Sequence, residues 1–393
     1  MKKVLSIFLA IVMCFAVAVP AFAVNKTSEL QFGADGKFKV MMISDTQDSI
    51  FKDVAELKLI AASIEQEQPD LLVFSGDQLT DFYPGATVKG LKKCLSNIFD
   101  EIEKTGIPFL VTFGNHDHDH EDIWPLEEQL AFYQQYSNCI VPEDRFGAGT
   151  YNVPVMSSDG KSIAFNVYMM DTNNKRADGD ALTGYEGVYP EQVEWYKQTS
   201  DELKAANGGK VVPSLVIQHI PCKEIYQFLD EVPYKESGKD DVFSLDNFKW
   251  YRLNDKVIDG VLGEVPCSEP LNSHTGQYQA WVEKGDIVGA FFGHDHVNSF
   301  YGKTDDGIIM GYNGGTGFST YGRHGDRSVR IFEIDEKDPA NFETYELTFN
   351  KMVMEIPFYP LDIFSTTLGT TLGKILKVIL PGFAWDLILE SMA

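Results

Sequence analysis

Six short apolar runs constrain the fold of this sequence most, because each ends at a polar or ionisable residue. The runs are rich in Val, Ile and Phe and alternate little, which is typical of strands buried on both faces. They cover residues 39–44, 71–76, 108–114, 163–170, 214–218 and 287–293, and the residues that follow them are Asp45, Asp77, Asn115, Asp171, His219 and His294.

Helical patterns separate the first three runs. Residues 54–66 carry apolar side chains at helical spacing, and residues 88–104 do the same before Gly106 ends the pattern. This strand–helix alternation predicts a parallel sheet, whose ligands bind beyond the carboxyl ends of the strands. The sequence therefore predicts an α/β fold with a polar site at one edge of the sheet.

Later segments give weaker signals. Residues 328–334 alternate as a half-buried strand does. Residues 231–280 contain few long apolar runs, so we expect an inserted loop region over the end of the sheet. Four cysteines beyond residue 23 form no CxxC pair, which indicates neither a zinc knuckle nor a dense disulfide framework; they are Cys94, Cys139, Cys222 and Cys267.

Both ends of the sequence are rich in apolar residues. Residues 1–23 have a positive start, an apolar run and a small-x-small ending, which predicts a signal peptide and a secreted or cell-surface protein; an uncleaved membrane anchor is the alternative. Residues 358–392 are apolar at helical spacing, with Lys374 and Lys377 as their only basic residues. We expect helices that dock on the domain or on a second copy, and a membrane-surface helix is the alternative.

The charge of the chain limits its partners. Thirty-three Lys and Arg against 58 Asp and Glu give a net charge of −25. Such a surface repels nucleic acid and anionic lipid at long range, so we expect no nucleic-acid partner. A small phosphorylated substrate is compatible with this charge, because bound metal ions reverse the local field.

The polar residues at the run ends form a ligand set without thiolate. Oxygen and imidazole donors of this kind suit Zn²⁺, Mn²⁺ or Fe. A pair of ions needs a bridging carboxylate, and Asp77, which follows a glycine, is the natural bridge. His294 and His296 are separated by one residue, so they can face two neighbouring ions.

In their order along the chain these motifs resemble the calcineurin-like metallophosphoesterase superfamily, and a branch grouped with purple acid phosphatases in particular. The resemblance covers residues 38–335 and implies a four-layer α/β/β/α sandwich. We expect a catalytic domain over residues 24–345 and, from the apolar pattern of the tail, a C-terminal helical segment over residues 346–393. The motifs are Asp45-x-Gln47, Gly76-Asp77, Gly114-Asn115-His116-Asp117, Gln218-His219-Ile220-Pro221 and Gly293-His294-Asp295-His296. The similarity to the branch rests on the last of these in its form Gly-His-Asp-His-Val-Asn, followed by a Gly-rich segment and Tyr321-Gly322-Arg323.

The resemblance also implies roles for single residues. One metal ion is expected on Asp45, Asp77 and His296, and a second on Asp77, Asn115, His219 and His294. His116 is expected to contact the phosphate and to protonate the leaving oxygen. Asp117 and Asp295 are expected to orient histidines as hydrogen-bond acceptors, with a plain loop role as the alternative.

Gln47 departs from the family pattern, which has a histidine there. A glutamine oxygen is a weaker ligand for Zn²⁺ than imidazole is. Three alternatives follow: the first site binds its ion more weakly, it prefers a harder ion such as Fe or Mn, or another residue such as Asp48 or Asp81 completes it. Tyr83 lies too far beyond Asp77 to take the role of the purple acid phosphatase tyrosine.

Other polar residues receive ordinary structural roles. Asp48 and Asp171 are expected to cap turns. A solvated loop is expected for residues 118–120, and the unassigned histidines are His274 and His324. For Arg323 and Arg327 there are two alternatives: an ordinary surface position, or binding of a substrate phosphate or carboxylate.

Taken together, the motifs predict hydrolysis of phosphomonoesters or phosphodiesters by a metal-bound hydroxide at a dinuclear centre. The alternatives are a metal-binding scaffold that has lost turnover through Gln47, and a nuclease of the same superfamily.

Overall fold

The computed structural model describes residues 30–50, 52–80, 87–174, 184–245, 249–268 and 275–353. The predicted signal peptide, the apolar tail at 358–392, Asp81, Tyr83 and His274 lie outside these residues. Of the helices described, none is long and apolar enough to cross a membrane.

Two large sheets form the centre of the molecule. The first has the order β16-β15-β2-β3-β4, with β2, β3 and β4 parallel and β15 antiparallel to β2. Its strands are β2 (Lys37–Ile43), β3 (Leu71–Phe74), β4 (Phe109–Val111), β15 (Ser328–Asp335) and β16 (Glu343–Thr348).

The second sheet has eight strands in the order β1-β5-β6-β7-β12-β14-β13-β11. Its central strands β6, β7, β12 and β14 run parallel. Its strands are β1 (Leu30–Gln31), β5 (Tyr151–Met156), β6 (Ile163–Met170), β7 (Ser214–Gln218), β11 (Val257–Asp259), β12 (Ile287–Phe292), β13 (Tyr301–Lys303) and β14 (Ile309–Tyr312).

The two sheets pack face to face and helices cover their outer faces. Val40 and Met42 of β2 share a core with Val167 of β6, whereas Met41 and Ile43 pack with the helices on the other side. The helices are α1 (Val54–Glu67), α2 (Val88–Thr105), α3 (Asn115–His118), α4 (Leu126–Tyr133), α5 (Pro190–Ala206), α6 (Gln277–Lys284) and α7 (Phe349–Val353). The expected four-layer α/β/β/α sandwich is therefore confirmed, and the burial of both strand faces explains the continuous apolar runs.

Local signals set the ends of the first two helices. Asp53 caps α1 by accepting from the N–H of Glu56 at 3.0 Å, and Thr87 caps α2 by accepting from Gly90 at 3.2 Å. Gly106 ends α2 with φ +71°, the left-handed conformation that favours glycine. Both helices agree with the prediction to within a residue.

Two expectations for the later segments are wrong. The 231–280 region is not only loop, because β8 (Leu229–Val232), β9 (Phe243–Leu245) and β10 (Lys249–Leu253) form a small antiparallel sheet. Strand β15 is not half-exposed, because Arg330 on its polar face is 1 % exposed. The guanidinium donates to the carbonyls of Tyr312 at 2.7 Å and Ser299 at 2.8 Å, which satisfies it inside the protein.

Candidate metal centre

The loops that follow β2, β3, β4, β7 and β12 meet at one edge of the two sheets. The backbone N–H of His294 donates to both carboxylate oxygens of Asp45 at 3.1 Å, and that of His116 donates to Asp77 at 2.9 Å. The structure thus brings the loops that carry Asp45, Asp77, His116 and His294 into contact. Asp45, Asp77, Asn115, His219 and His296 are at most 2 % exposed.

Asp77 lies between two groups of ligand atoms. In one group Asp77 joins Asp45 and His296, and in the other it joins His219 and His294; the atoms of each group lie within 4.8 Å of one another. Asp77 Oδ2 is 3.2 Å from His219 Nε2, and Asp45 Oδ1 is 3.1 Å from His296 Nε2. Each group is compact enough to surround one ion.

The backbone of this edge is strained. Of the described residues, seven other than glycine have positive φ, and four of these belong to the site: Asp45 (54°), Gln47 (40°), Asp77 (53°) and His294 (71°). Such conformations cost on the order of 1–3 kcal/mol each and cluster at functional sites. A Cβ added to Gly76 would lie 2.6 Å from the backbone nitrogen of Gly114. The close approach of these two loops therefore requires glycine at position 76.

The amide of Asn115 is buried without a partner. The side chain is 0 % exposed, and neither Nδ2 nor Oδ1 has a hydrogen bond to any residue in the described ranges. An unsatisfied buried amide costs about 1–3 kcal/mol. Coordination of an ion by Oδ1 would remove part of this cost, so Asn115 fits a ligand.

The pKa of each buried ionisable side chain in the site depends on the charges of its neighbours. Burial alone would raise the pKa of Asp77, but the charges of His219 and His116 hold it well below its usual range. Burial lowers the pKa of His219, yet Asp77 raises it to about 9 overall. Burial and the charge of His219 together hold the pKa of His294 well below its usual range. An ion bound to these groups would displace the proton that His219 holds.

The carboxylate of Asp117 bonds backbone N–H groups of two loops. We expected it to accept a hydrogen bond from a histidine ring. Its carboxylate accepts from the backbone N–H groups of Asp77 at 2.8 Å, Gly114 at 2.9 Å and Leu79 at 3.0 Å. Burial and the neighbouring charge of Asp77 raise its pKa to about 7. Asp295 accepts from the N–H of Cys267 at 3.2 Å, which is also a loop contact.

Gln47 lies beside the shared carboxylate. Its Nε2 donates to Asp77 Oδ2 at 3.0 Å, so the side chain points into the site and not toward solvent. Amide nitrogen and oxygen exchange places on a half-turn of the terminal amide. Gln47 can therefore either support Asp77 as a donor or offer its oxygen to an ion.

The expectation of a solvated loop at residues 118–120 is wrong for the two histidines. His118 is 9 % and His120 is 5 % exposed. The ring of His118 bonds Glu121 through Nδ1 and Asp171 Oδ1 through Nε2 at 3.0 Å. The sequence pattern could not show these contacts, because Asp171 follows β6 and is 53 residues away from His118.

The remaining assignments are resolved as follows. Asp171 also accepts from the N–H of Asn173 at 2.9 Å, the expected turn contact. Arg327 is 5 % exposed and donates to the carbonyls of Gly317, Thr320 and Tyr321, so a surface role is wrong for it. Arg323 pairs with Glu346 at 3.4 Å.

Replacing His118 by Gln is expected to destabilise the protein in a pH-dependent way. Burial lowers the pKa of His118, but Asp171 and Glu121 raise it from 6.5 to about 9. The protonated ring therefore stabilises the fold fully below pH 6.5, by about 3 kcal/mol, and this contribution is lost as the pH rises through 9. Urea unfolding at pH 6 should show a loss of about 2–3 kcal/mol in the variant, and at pH 9.5 a much smaller one. An equal loss at both values would contradict this.

Two residues near the candidate ligands received no role at the site from the sequence. Cys267 contributes its sulfur to a third compact group with His294 and Asp295, and no motif surrounds it. Tyr321 stacks on His296 with ring centroids 4.2 Å apart, and its carbonyl accepts from His296 Nδ1 at 2.8 Å. That bond directs Nε2 of His296 toward Asp45, as partners of metal-binding histidines do.

Several known proteins are similar to this chain. The chain is 28 % identical to the "Probable inactive purple acid phosphatase 14" of Arabidopsis thaliana, over 84 % of this chain and 83 % of that protein. It is 26 % identical to the "Probable inactive purple acid phosphatase 29" of the same plant, over 84 % of each. A dimetal phosphatase from Danio rerio covers 79 % of this chain and 99 % of its own, with 12 % identity and a TM-score of 0.46. The family model for the calcineurin-like phosphoesterases matches residues 38–298, and the chain belongs to that family.

Proposed function

We propose that this protein hydrolyses small phosphomonoesters or phosphodiesters at a centre of two metal ions. The observation that carries the proposal is the position of Asp77, a buried carboxylate shared by two compact ligand groups. Asp45 and His296 would complete one ligand set, and Asn115, His219 and His294 the other. The donors are oxygen and nitrogen atoms, which suits Fe, Mn or Zn.

The charge and the hydrogen-bonding of these side chains suit them to metal ions. Asp45 and Asp77 are buried carboxylates, and buried charges need opposite charge beside them. Asn115 has an amide that lacks a hydrogen-bond partner among the described residues. When bound, two ions would supply Lewis-acid charge for the phosphoryl oxygens and a nucleophile at neutral pH.

His116 is placed to act on the substrate. Its side chain is 18 % exposed, in contrast to the buried ligands, and its Nε2 lies 4.0 Å from Asp77 Oδ2. A ring at this position can donate a hydrogen bond to a phosphoryl oxygen or a proton to the leaving oxygen. We assign His116 as the general acid of the proposed reaction.

Metal-dependent turnover tests the proposal. Protein supplied with Mn²⁺, Fe or Zn²⁺ should hydrolyse p-nitrophenyl phosphate or its bis ester, and a chelator should abolish the reaction until metal is restored. Failure with each metal, despite stoichiometric binding, would instead support a metal-binding scaffold. The departure at Gln47 favours that second candidate, and the Arabidopsis relatives carry the word "inactive" in their names.

Replacing Gln47 by His tests whether this position is a metal ligand. Imidazole binds Zn²⁺ better than an amide oxygen does, so the variant should bind Zn²⁺ at the Asp45 site more tightly and shift the metal preference of turnover toward Zn²⁺. Metal analysis of variant and unaltered protein, loaded from the same mixture of Mn²⁺ and Zn²⁺, measures this. An unchanged metal ratio would mean that Gln47 is not a ligand and serves only as the donor to Asp77.

A further inference from the structure

The loop of residues 315–321 packs against two ligands of the proposed first metal site, Asp45 and His296. The N–H of Gly317 bonds the carbonyl of Asp45 at 3.2 Å. A Cβ added to Gly317 would collide with the carbonyl oxygen of Thr46, so the loop lies directly on the segment that carries Asp45. The carbonyl of Tyr321 accepts from Nδ1 of His296 at 2.8 Å. The backbone of this loop therefore helps to set where both ligands lie.

One buried guanidinium, that of Arg327, bonds the loop at three carbonyls. Nη1 donates to the carbonyls of Gly317 and Tyr321, the latter at 3.1 Å. Nη2 donates to the carbonyl of Thr320 at 2.6 Å. The guanidinium also lies over the ring of Phe318, with Cζ 5.0 Å from the ring centroid. Because its donors form a planar, rigid fork, a guanidinium can fix several acceptors at once in a way that an ammonium group cannot.

The carbonyl of Tyr321 connects the guanidinium to a ligand. It accepts one hydrogen bond from Arg327 and one from Nδ1 of His296, which uses both of its lone pairs. With Nδ1 bonded in this way, Nε2 of His296 lies 3.1 Å from Asp45 Oδ1. The second ligand group meets the loop differently, since the Tyr321 hydroxyl bonds the backbone carbonyl of His294 at 3.4 Å and not its ring.

We propose that Arg327 is a positioning residue, which fixes the ligands of the first metal site through the loop that it bonds. It acts on His296 through the carbonyl of Tyr321. This inference rests on the proposed function. The first site is also the one in which Gln47 stands in place of an imidazole, so its affinity depends more on how firmly the remaining ligands are oriented.

The competing interpretation is that Arg327 only neutralises buried acids and so stabilises the fold. Asp53 and Glu56 are fully buried. Burial raises the pKa of both carboxyls, and the charge of Arg327 opposes this rise. The two interpretations predict different effects on metal binding. A positive charge near Asp45 repels a cation, so the charge of Arg327 by itself weakens binding, whereas the positioning of ligands strengthens it.

Arg327→Lys separates these effects because it keeps the charge and removes the planar fork. The affinity for the ion at the first site should fall by about 10- to 100-fold, the range found for groups that orient metal-bound histidines. The affinity at the second site should not change. Calorimetric titration of the metal-free protein with Mn²⁺ or Zn²⁺ measures both. His296→Ala and Asn115→Ala, each of which removes a ligand of one site only, assign the two affinities to their sites.

A second arginine of the same region provides the matched control. Arg330 is also buried, and it donates to the carbonyls of Tyr312 and Ser299. Arg330→Lys should lower the free energy of unfolding of the metal-free protein and leave both metal affinities unchanged. Phe318→Leu is a milder second variant, which removes the ring beneath the guanidinium and keeps Arg327. It should weaken binding at the first site in the same direction, by a smaller factor.

Unchanged metal affinities in Arg327→Lys, with only a lower stability of the metal-free protein, would overturn the proposal, and so would an equal fall at both sites. If Arg327→Lys does not fold, Phe318→Leu decides, and an unchanged affinity at the first site then overturns it. If the unaltered protein binds two ions and hydrolyses no phosphoester, the proposed function fails, while the two affinities still test the role of Arg327.

Discussion

Asp77→Asn should lose both metal ions and essentially all turnover. Asp77 is the one acid common to both ligand groups, so the neutral amide removes charge from both sites at once. Bound ions contribute several kcal/mol of transition-state stabilisation, which corresponds to a loss of turnover on the order of 10³-fold or more. Metal analysis should show far less than one ion per chain.

Asparagine is the most informative substitution at this position, because it removes the negative charge and keeps the size and shape of the side chain. Asp77 has φ +53°, a conformation that Asn tolerates, so the backbone of the loop is kept. Asp122→Asn removes one exposed carboxylate and is the matched control. If Asp77→Asn retained two ions per chain, Asp77 would not be the bridge.

His116→Ala should lower kcat about 10²- to 10⁴-fold, the usual contribution of a general acid, and leave the metal content unchanged. The reason is its position: the ring is 18 % exposed and its Nε2 faces the shared carboxylate without belonging to either ligand group that contains Asp77. Turnover and metal content are measured on the same preparation.

A histidine outside the site provides the control. His324 is exposed and has φ +53°, so His324→Asn removes an imidazole in a residue type that accepts this backbone. It should change neither kcat nor metal content. A loss of metal from His116→Ala would show that His116 is a ligand, and its role as general acid would be wrong.

The sequence predicted the buried strands and the edge where their polar residues meet, because both depend on local pattern. Strand β2 reads as continuous Val, Met and Ile since both of its faces are covered, and Asp45 follows it directly. The position of a ligand after its strand needs only this local order.

Contacts between distant segments could not be read in the same way. His118 becomes a buried ring because Asp171, at the end of another strand, reaches it. The prediction of a half-buried strand is wrong at Arg330, because alternation cannot show that the carbonyls of Tyr312 and Ser299 accept hydrogen bonds from its guanidinium. Cys267 lies beside His294 and Asp295 only in the folded chain, and no motif surrounds it. Tyr321 belongs to the Tyr321-Gly322-Arg323 motif, but its stacking on His296 could not be predicted from the motif.

The most direct test of the two-metal centre is anomalous X-ray diffraction from crystals of the protein loaded with Mn²⁺ or Zn²⁺. We expect two anomalous peaks about 3.5–4 Å apart, with the Asp77 carboxylate between them, Asp45 and His296 at one peak, and Asn115, His219 and His294 at the other. A single peak away from Asp77, or full occupancy of a site that excludes it, would contradict the account.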